Sequence, residues 1–230
     1  MGKTIATAFL VAIAIASLAD TPRKDKQRAA APQNAFDINR GVAEHGFSYE
    51  QSGSLLFNGK RFKPSVSGTK DMPRFHIALS PGGRFAAAAG KDIDGQDTLY
   101  LLKLNVLTAV PFQRGQYRSV GGVIGTWWSP SGKYLVALCA YEGQRFVRAD
   151  IKTGELVDGP WLKATDKHVL WAVKGAPQWD GNTDVLKVTV DESCDPYDGD
   201  CGPNAVNSGK VIATHTVILD ADTLALSVRD

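Results

Sequence analysis

The chain is poor in the residues that most often do chemistry. It has three cysteines, four histidines and two methionines in 230 residues. No C-x-x-C, H-x-x-x-H or H-E-x-x-H spacing occurs, so a zinc site has no support. No G-x-S-x-G elbow presents a nucleophilic serine. The histidines, His45, His76, His168 and His215, are scattered and read as packed or surface strand residues. No segment outside the first twenty residues shows the 3.6-residue period of an amphipathic helix. Charge of one sign is missing too. With 26 basic and 24 acidic residues, nothing argues for nucleic acid or an anionic membrane as partner. No N-x-S/T sequon occurs, which fits a bacterial periplasmic protein.

What is present begins with an export signal. Lys3 supplies a positive start, Ile5 to Leu18 form an uncharged apolar run, and Ser17-Leu18-Ala19 puts small residues where a signal peptidase cuts. The run is shorter than the ~20 residues of a membrane span. Residues 1–19 are therefore expected to be a signal peptide, leaving a periplasmic or secreted chain with no transmembrane anchor. No cysteine follows the run, which argues against a lipid anchor. Loss of Lys3 leaves 26 − 1 = 25 basic against 24 acidic residues. Residues 20–33, charged, Ala-rich and flanked by prolines, read as a flexible tether. Residues 34–230 form the expected folded domain.

Export permits disulfides. Cys194 and Cys201 are seven positions apart in a polar, turn-rich stretch and form the expected pair. Cys139 lies within the apolar string KYLVALCAY and reads as a buried thiol.

The body of the chain repeats itself. Arg74 to Val110, Val123 to Val157 and His168 to Val228 align on two landmarks. The first is a tight turn, Ser80-Pro81-Gly82-Gly83-Arg84 and Ser129-Pro130-Ser131-Gly132-Lys133, altered to Trp179-Asp180-Gly181-Asn182 in the third copy. Proline suits the first corner of such a turn and glycine its exit. The second landmark is Asn105 to Thr108, Asp150 to Thr153 and Asp220 to Thr223, where a short side chain is expected to open the bend and bond its backbone. Between landmarks the runs are rich in β-branched, aromatic and aliphatic residues, several in period two. Each copy reads as four antiparallel strands. Ahead of them, Ser54 to Phe62 with Asn58-Gly59 between its arms is a hairpin signal. The expected fold is all-β: a small or partial β-propeller of three to four four-stranded antiparallel blades.

The strings WWSPSGKYLVA and RFVRADIKTGEL resemble blade strands of TolB-like and WD-repeat-like propellers. The resemblance runs from about Arg74 to the C-terminus and implies blade geometry, not an activity. In size, leader and β pattern the chain is also similar to periplasmic immunity proteins of type VI secretion amidase effectors. That likeness is architectural and assigns no residue a role.

The third copy alone carries an insertion, Asp191 to Gly209 (DESCDPYDGDCGPNAVNSG). A long loop on a rigid β scaffold is a common place for recognition. Asp195, Tyr197, Asp198 and Asp200 in this loop are the candidate binding residues, with Trp128 as a candidate aromatic contact. Asp191, Asp195, Asp198 and Asp200 could also supply oxygens to calcium, as could the acidic stretch Asp92 to Asp97. No other cofactor is implied. Three functions compete. The first is a non-catalytic module that binds a protein partner, sharpened to an inhibitor or immunity protein against a secreted cell-wall hydrolase. The second is a propeller-fold hydrolase or lyase with an axial active site. The third is a calcium-stabilised structural module. Free strand edges would also allow a homodimer.

Overall fold

The computed structural model describes residues 45–67, 77–92, 94–115, 120–140, 143–164, 169–194 and 211–229. The expected signal peptide and tether lie outside them. The described residues are all-β, without a helix, and fall into four antiparallel sheets. Blade 1 holds β1 (Phe47–Tyr49), β2 (Leu55–Phe57) and β3 (Lys60–Arg61). Blade 2 holds β4 (Ala78–Leu79), β5 (Phe85–Lys91), β6 (Asp97–Lys103) and β7 (Thr108–Pro111). Blade 3 holds β8 (Gly122–Trp128), β9 (Tyr134–Ala140), β10 (Gln144–Asp150) and β11 (Leu156–Leu162). Blade 4 holds β12 (Val169–Val173), β13 (Gln178–Trp179), β14 (Val185–Cys194), β15 (Val211–Asp220) and β16 (Leu226–Arg229). Blades 2 and 3 are simple meanders. In blade 4, β12 and β13 share one edge of β14, so the first strand of that blade is interrupted.

Both landmark turns form at the expected places. In the first, the serine hydroxyl accepts from the backbone five residues on: Phe85 N to Ser80 Oγ at 3.1 Å and Tyr134 N to Ser129 Oγ at 3.2 Å. Gly132 leaves that turn at φ 70°, a backbone region that favours glycine. In the second, Asp150 Oδ1 accepts from Lys152 N at 2.8 Å and Thr153 N at 2.9 Å, and Asp220 Oδ1 repeats this with Asp222 N and Thr223 N at 2.9 Å. These backbone bonds hold both carboxyl groups below the usual carboxylate range. Blade 2 differs. Its turn is closed by Lys103 and Thr108, which places Asn105 inside the bend and not at its opening. The Asn58-Gly59 hairpin forms with both residues at positive φ, as a type I′ turn requires.

The core is three apolar layers, one between each pair of successive blades. Strand alternation assigns residues to them. Ala86, Ala88, Tyr100 and Leu102 pack toward blade 1, with Phe47, Leu55 and Phe62. Their neighbours Ala87, Ala89, Leu99 and Leu101 pack toward blade 3, with Trp128, Leu135 and Ala137. Trp127, Val136, Leu138 and Phe146 face blade 4, with Leu186, Val188, Val217 and Leu219. Phe62, Phe112 and Leu162, fifty positions apart, close the outer end of each layer and are buried. Just beyond two of them the chain stitches to the next blade: Lys63 bonds Leu107 and Ala109, and Gln113 bonds Gly154 and Leu156.

Four blades with three buried layers make an open stack among the described residues. A closed ring of four would bury a fourth. The burial pattern of β14 says the same: Leu186, Val188 and Val190 are buried, while Lys187, Thr189 and Asp191 between them are not.

Two predictions follow from the core and turns. Trp128 is buried and its ring N–H donates to the Ala78 carbonyl at 2.8 Å, joining blades 2 and 3. Trp128→Phe, which removes that bond, is expected to cost about 1 kcal/mol; Trp128→Ala, which also empties the layer, about 3–5 kcal/mol. Urea denaturation measures both. The depressed carboxyls of Asp150 and Asp220 stabilise the fold fully above the unfolded carboxyl value of about 4 and lose that effect as pH falls through their lower folded values. Asp150→Asn/Asp220→Asn, which keeps an accepting oxygen in each turn, is expected to flatten the acid limb of a melting temperature-versus-pH curve.

Candidate functional site

The two ends of the stack differ. One end carries the short landmark turns. There Ser131 Oγ donates to Asp184 Oδ2 at 2.6 Å, the Tyr134 hydroxyl donates to Asp222, and the Arg148 guanidinium donates to the Ala221 carbonyl at 3.0 Å while lying over the Tyr134 ring. The bond to Asp222 pushes the Tyr134 phenol above its ordinary value. All three contacts join blade 3 to blade 4. The opposite end carries the β5–β6 connection of blade 2 and the β9–β10 connection of blade 3, and in blade 4 the insertion between β14 and β15 arises there.

At that loop end, blade 4 builds a polar cluster in line with its buried apolar face. Register pairs Trp171 with Glu192, and Val190 with His215, so all four share one face. Glu192 Oε2 accepts from Trp171 Nε1 at 2.8 Å and lies 3.2 Å from His215 Nε2. The Trp171 and His215 rings sit 5.5 Å apart. Glu192 and His215 keep one fifth of their side-chain surface exposed. The cluster thus ends the layer between blades 3 and 4 with three polar groups that satisfy one another.

The other face of the same strands holds Asp191. Its Oδ1 accepts from Thr214 Oγ1 at 2.6 Å and from Lys174 Nζ at 3.1 Å, and the Thr214 bond draws its carboxyl below the usual range. The carboxylate expected to help hold calcium is therefore engaged within the blade. Around it, Leu170, Val211 and Ile212 are 46%, 47% and 49% exposed.

Cys194 ends β14 and is buried. Its expected partner Cys201, and the candidate binding residues Asp195, Tyr197, Asp198 and Asp200, lie outside the described residues. Trp128 is far from that loop in sequence and sits in the layer between blades 2 and 3. In the other acidic stretch, Asp92 Oδ1 accepts from Asp94 N and Gln96 N at 2.9 Å and shapes its own turn. Among the described residues, no three His, Cys, Asp or Glu side chains gather as a metal would require. Burial pushes the Cys139 thiol up to about 12, so it is not a nucleophile at neutral pH.

Sequence reasoning pointed to the root of the insertion but missed Trp171, Glu192 and His215. They lie forty-four positions apart and meet only through the register of three strands. The missed signal was the polar Glu192 and His215 at buried-face positions of otherwise apolar alternation.

No family model and no curated protein matches the chain. Solved structures do resemble it in fold. An oligogalacturonate lyase in complex with manganese aligns at 18% identity over 67% of this chain and 39% of that one, TM-score 0.42. TolB from Acinetobacter baumannii aligns at 12% identity over 79% and 50%, TM-score 0.38. The β-propeller domain of the Trilobed protease from Pyrococcus furiosus, described as having an open velcro topology, aligns at 9% identity over 76% and 64%, TM-score 0.34. The chain spans about two fifths of the lyase and half of that TolB. The likeness is one of fold, to TolB-like propeller blades. Among the described residues no helix is long and apolar enough to cross a membrane.

Removing the shared acceptor tests the blade 4 cluster. Glu192→Ala strands the Trp171 ring N–H and removes the contact with His215, and is expected to cost about 1–3 kcal/mol in urea denaturation. Asp180→Ala, which breaks the exposed 2.8 Å pair with Lys187, is expected to cost no more than about 1 kcal/mol.

Proposed function

We propose that the chain is an exported, non-catalytic protein-binding module that meets its partner through the loop end of blade 4. The observation that carries this reading is the group Leu170, Val211 and Ile212, each about half exposed at the root of the insertion. Exposed aliphatic side chains gathered on a rigid sheet are a feature of contact surfaces. A Cys194–Cys201 bridge would hold the adjoining loop in shape and reduce the entropy lost on docking. An export leader places the module where secreted enzymes act, and the partner we favour is a cell-wall hydrolase that the module inhibits.

A hydrolase or lyase reading draws on the Glu192–His215 pair, a carboxylate that orients an imidazole. Glu192 gives the same oxygen to Trp171, and the trio is mostly shielded, which favours a packing role.

The test is turbidity clearing of peptidoglycan by a cell-wall amidase that co-purifies with this chain. Stoichiometric inhibition is expected, with Leu170→Asp/Ile212→Asp weakening it at least about tenfold. Undiminished clearing at a molar excess of the folded protein would overturn the reading.

A further inference from the structure

The turn end of the stack is built from short turns, and charge is unevenly spread across it. In blades 1 and 2 these turns are residues 57–60, 80–85 and 103–108. They hold Lys60, Arg84 and Lys103 and no carboxylate. In blade 3, residues 129–134 and 150–155 set Lys133 and Lys152 against Asp150 and Glu155. In blade 4, residues 179–185 and 220–225 hold Asp180, Asp184, Asp220 and Asp222 and no lysine or arginine. The surface is therefore basic on one side, balanced in the middle and acidic on the other.

Contacts within the chain cancel only part of this charge. Among the described residues, Lys60, Arg84 and Lys103 have no ion-pair partner. Lys63 adds to the basic side, since its backbone bonds Leu107 and Ala109 at the blade 2 turn. On the acidic side, Lys187 offsets Asp180. Arg148 donates to the Asp222 backbone carbonyl and so lies beside a second acid. The remaining two carboxylates have neutral partners: Ser131 on Asp184, and backbone N–H groups on Asp220. Neutral donors favour the charged form of a carboxylate without cancelling it.

We infer that the turn end pairs with the same surface of a second copy of the chain, blade 2 of each lying over blade 4 of the other. Opposite charges flanking a balanced middle make a surface complementary to itself. A two-fold axis through the blade 3 turns brings each basic side onto an acidic one and keeps like charges apart. Val106, 59% exposed at the tip of the blade 2 turn, adds an apolar contact. Strand edges are a poorer route to a dimer. β3 and β16 are 2 and 4 residues long, β7 ends in Pro111, and β11 contains Pro160. The inference is independent of the partner-binding reading, because the loop end of blade 4 stays open in such a pair.

The test is sedimentation velocity of the folded protein over a range of concentrations. At low salt the sedimentation coefficient is expected to rise with concentration toward that of a dimer, and about 0.5 M sodium chloride to reverse this. Arg84→Glu/Lys103→Glu and Asp180→Lys/Asp222→Lys are each expected to weaken self-association about tenfold or more. Mixed in equal amounts, these two variants are expected to form the dimer that neither forms alone, since each then meets opposite charge. Misfolding does not produce that outcome. Circular dichroism checks that each variant is folded. Asp184→Asn/Asp222→Asn, which keeps the accepting oxygens, takes the place of the lysine variant if that one is unfolded, and is also expected to weaken the dimer. A sedimentation coefficient independent of concentration at low salt overturns the inference. So does a mixture of the two folded charge variants that stays monomeric. A dimer that salt and every charge variant leave unchanged, or that only Leu170→Asp/Ile212→Asp disperses, overturns it as well. The same holds for a protein that stays monomeric but co-sediments with phosphatidylglycerol vesicles, which assigns the basic side to anionic lipid.

Discussion

Trp127 and Trp128 are adjacent on β8 and point to opposite faces of blade 3. Each ends in a different apolar layer. Trp128 fixes blade 3 to blade 2 through packing and its bond to the Ala78 carbonyl. Trp127 fixes it to blade 4 through packing alone among the contacts described. Because the two rings stand on neighbouring residues of one strand, both layers are anchored at the same point of blade 3. Blade 4 is placed against blade 3 by the layer that Trp127 enters together with the bonds at the turn end.

That coupling explains the division of labour between the two ends. The turn end is tied by short side-chain bonds across blades 3 and 4, with Ser131 to Asp184 and Arg148 to Ala221 spanning the gap. The loop end is bound less by turns than by polar clusters at the mouths of the layers. One mouth carries Trp171, Glu192 and His215; another carries Arg114, Asp158, Arg145 and Trp161. A frame stiffened at one end can present such groups at the other without each needing its own support.

The blades were legible in the sequence because their determinants are local. Ser-Pro-x-Gly and Asp-x-x-Thr-Gly write their turns within five residues, and the hydroxyl and carboxylate bonds seen at Ser129 and Asp150 are short-range. Asn105 misled because the bend in blade 2 opens two residues earlier, at Lys103, and no local residue type marks that difference. The clusters were not legible. Glu192 and His215, or Arg114 and Asp158, come together through strand register and the stacking of blades, neither of which spacing along one chain reveals. The insertion was visible by its asymmetry, but its contents fall outside the described residues. What the structure adds there is the surface from which it springs.

Strand β14 records one more property of the stack. Its buried and unburied residues alternate, whereas β5 and β9 are buried on both sides. An interior blade is written in small and aliphatic residues throughout, and a terminal blade in a two-faced script. The blades are therefore not interchangeable parts. Moving blade 4 inward would press Thr189 and Asp191 into an apolar layer, and moving blade 3 outward would lay Val136 and Leu138 bare. Rank in the series is written into each strand, and blade 4 carries its apolar residues on the face turned to blade 3.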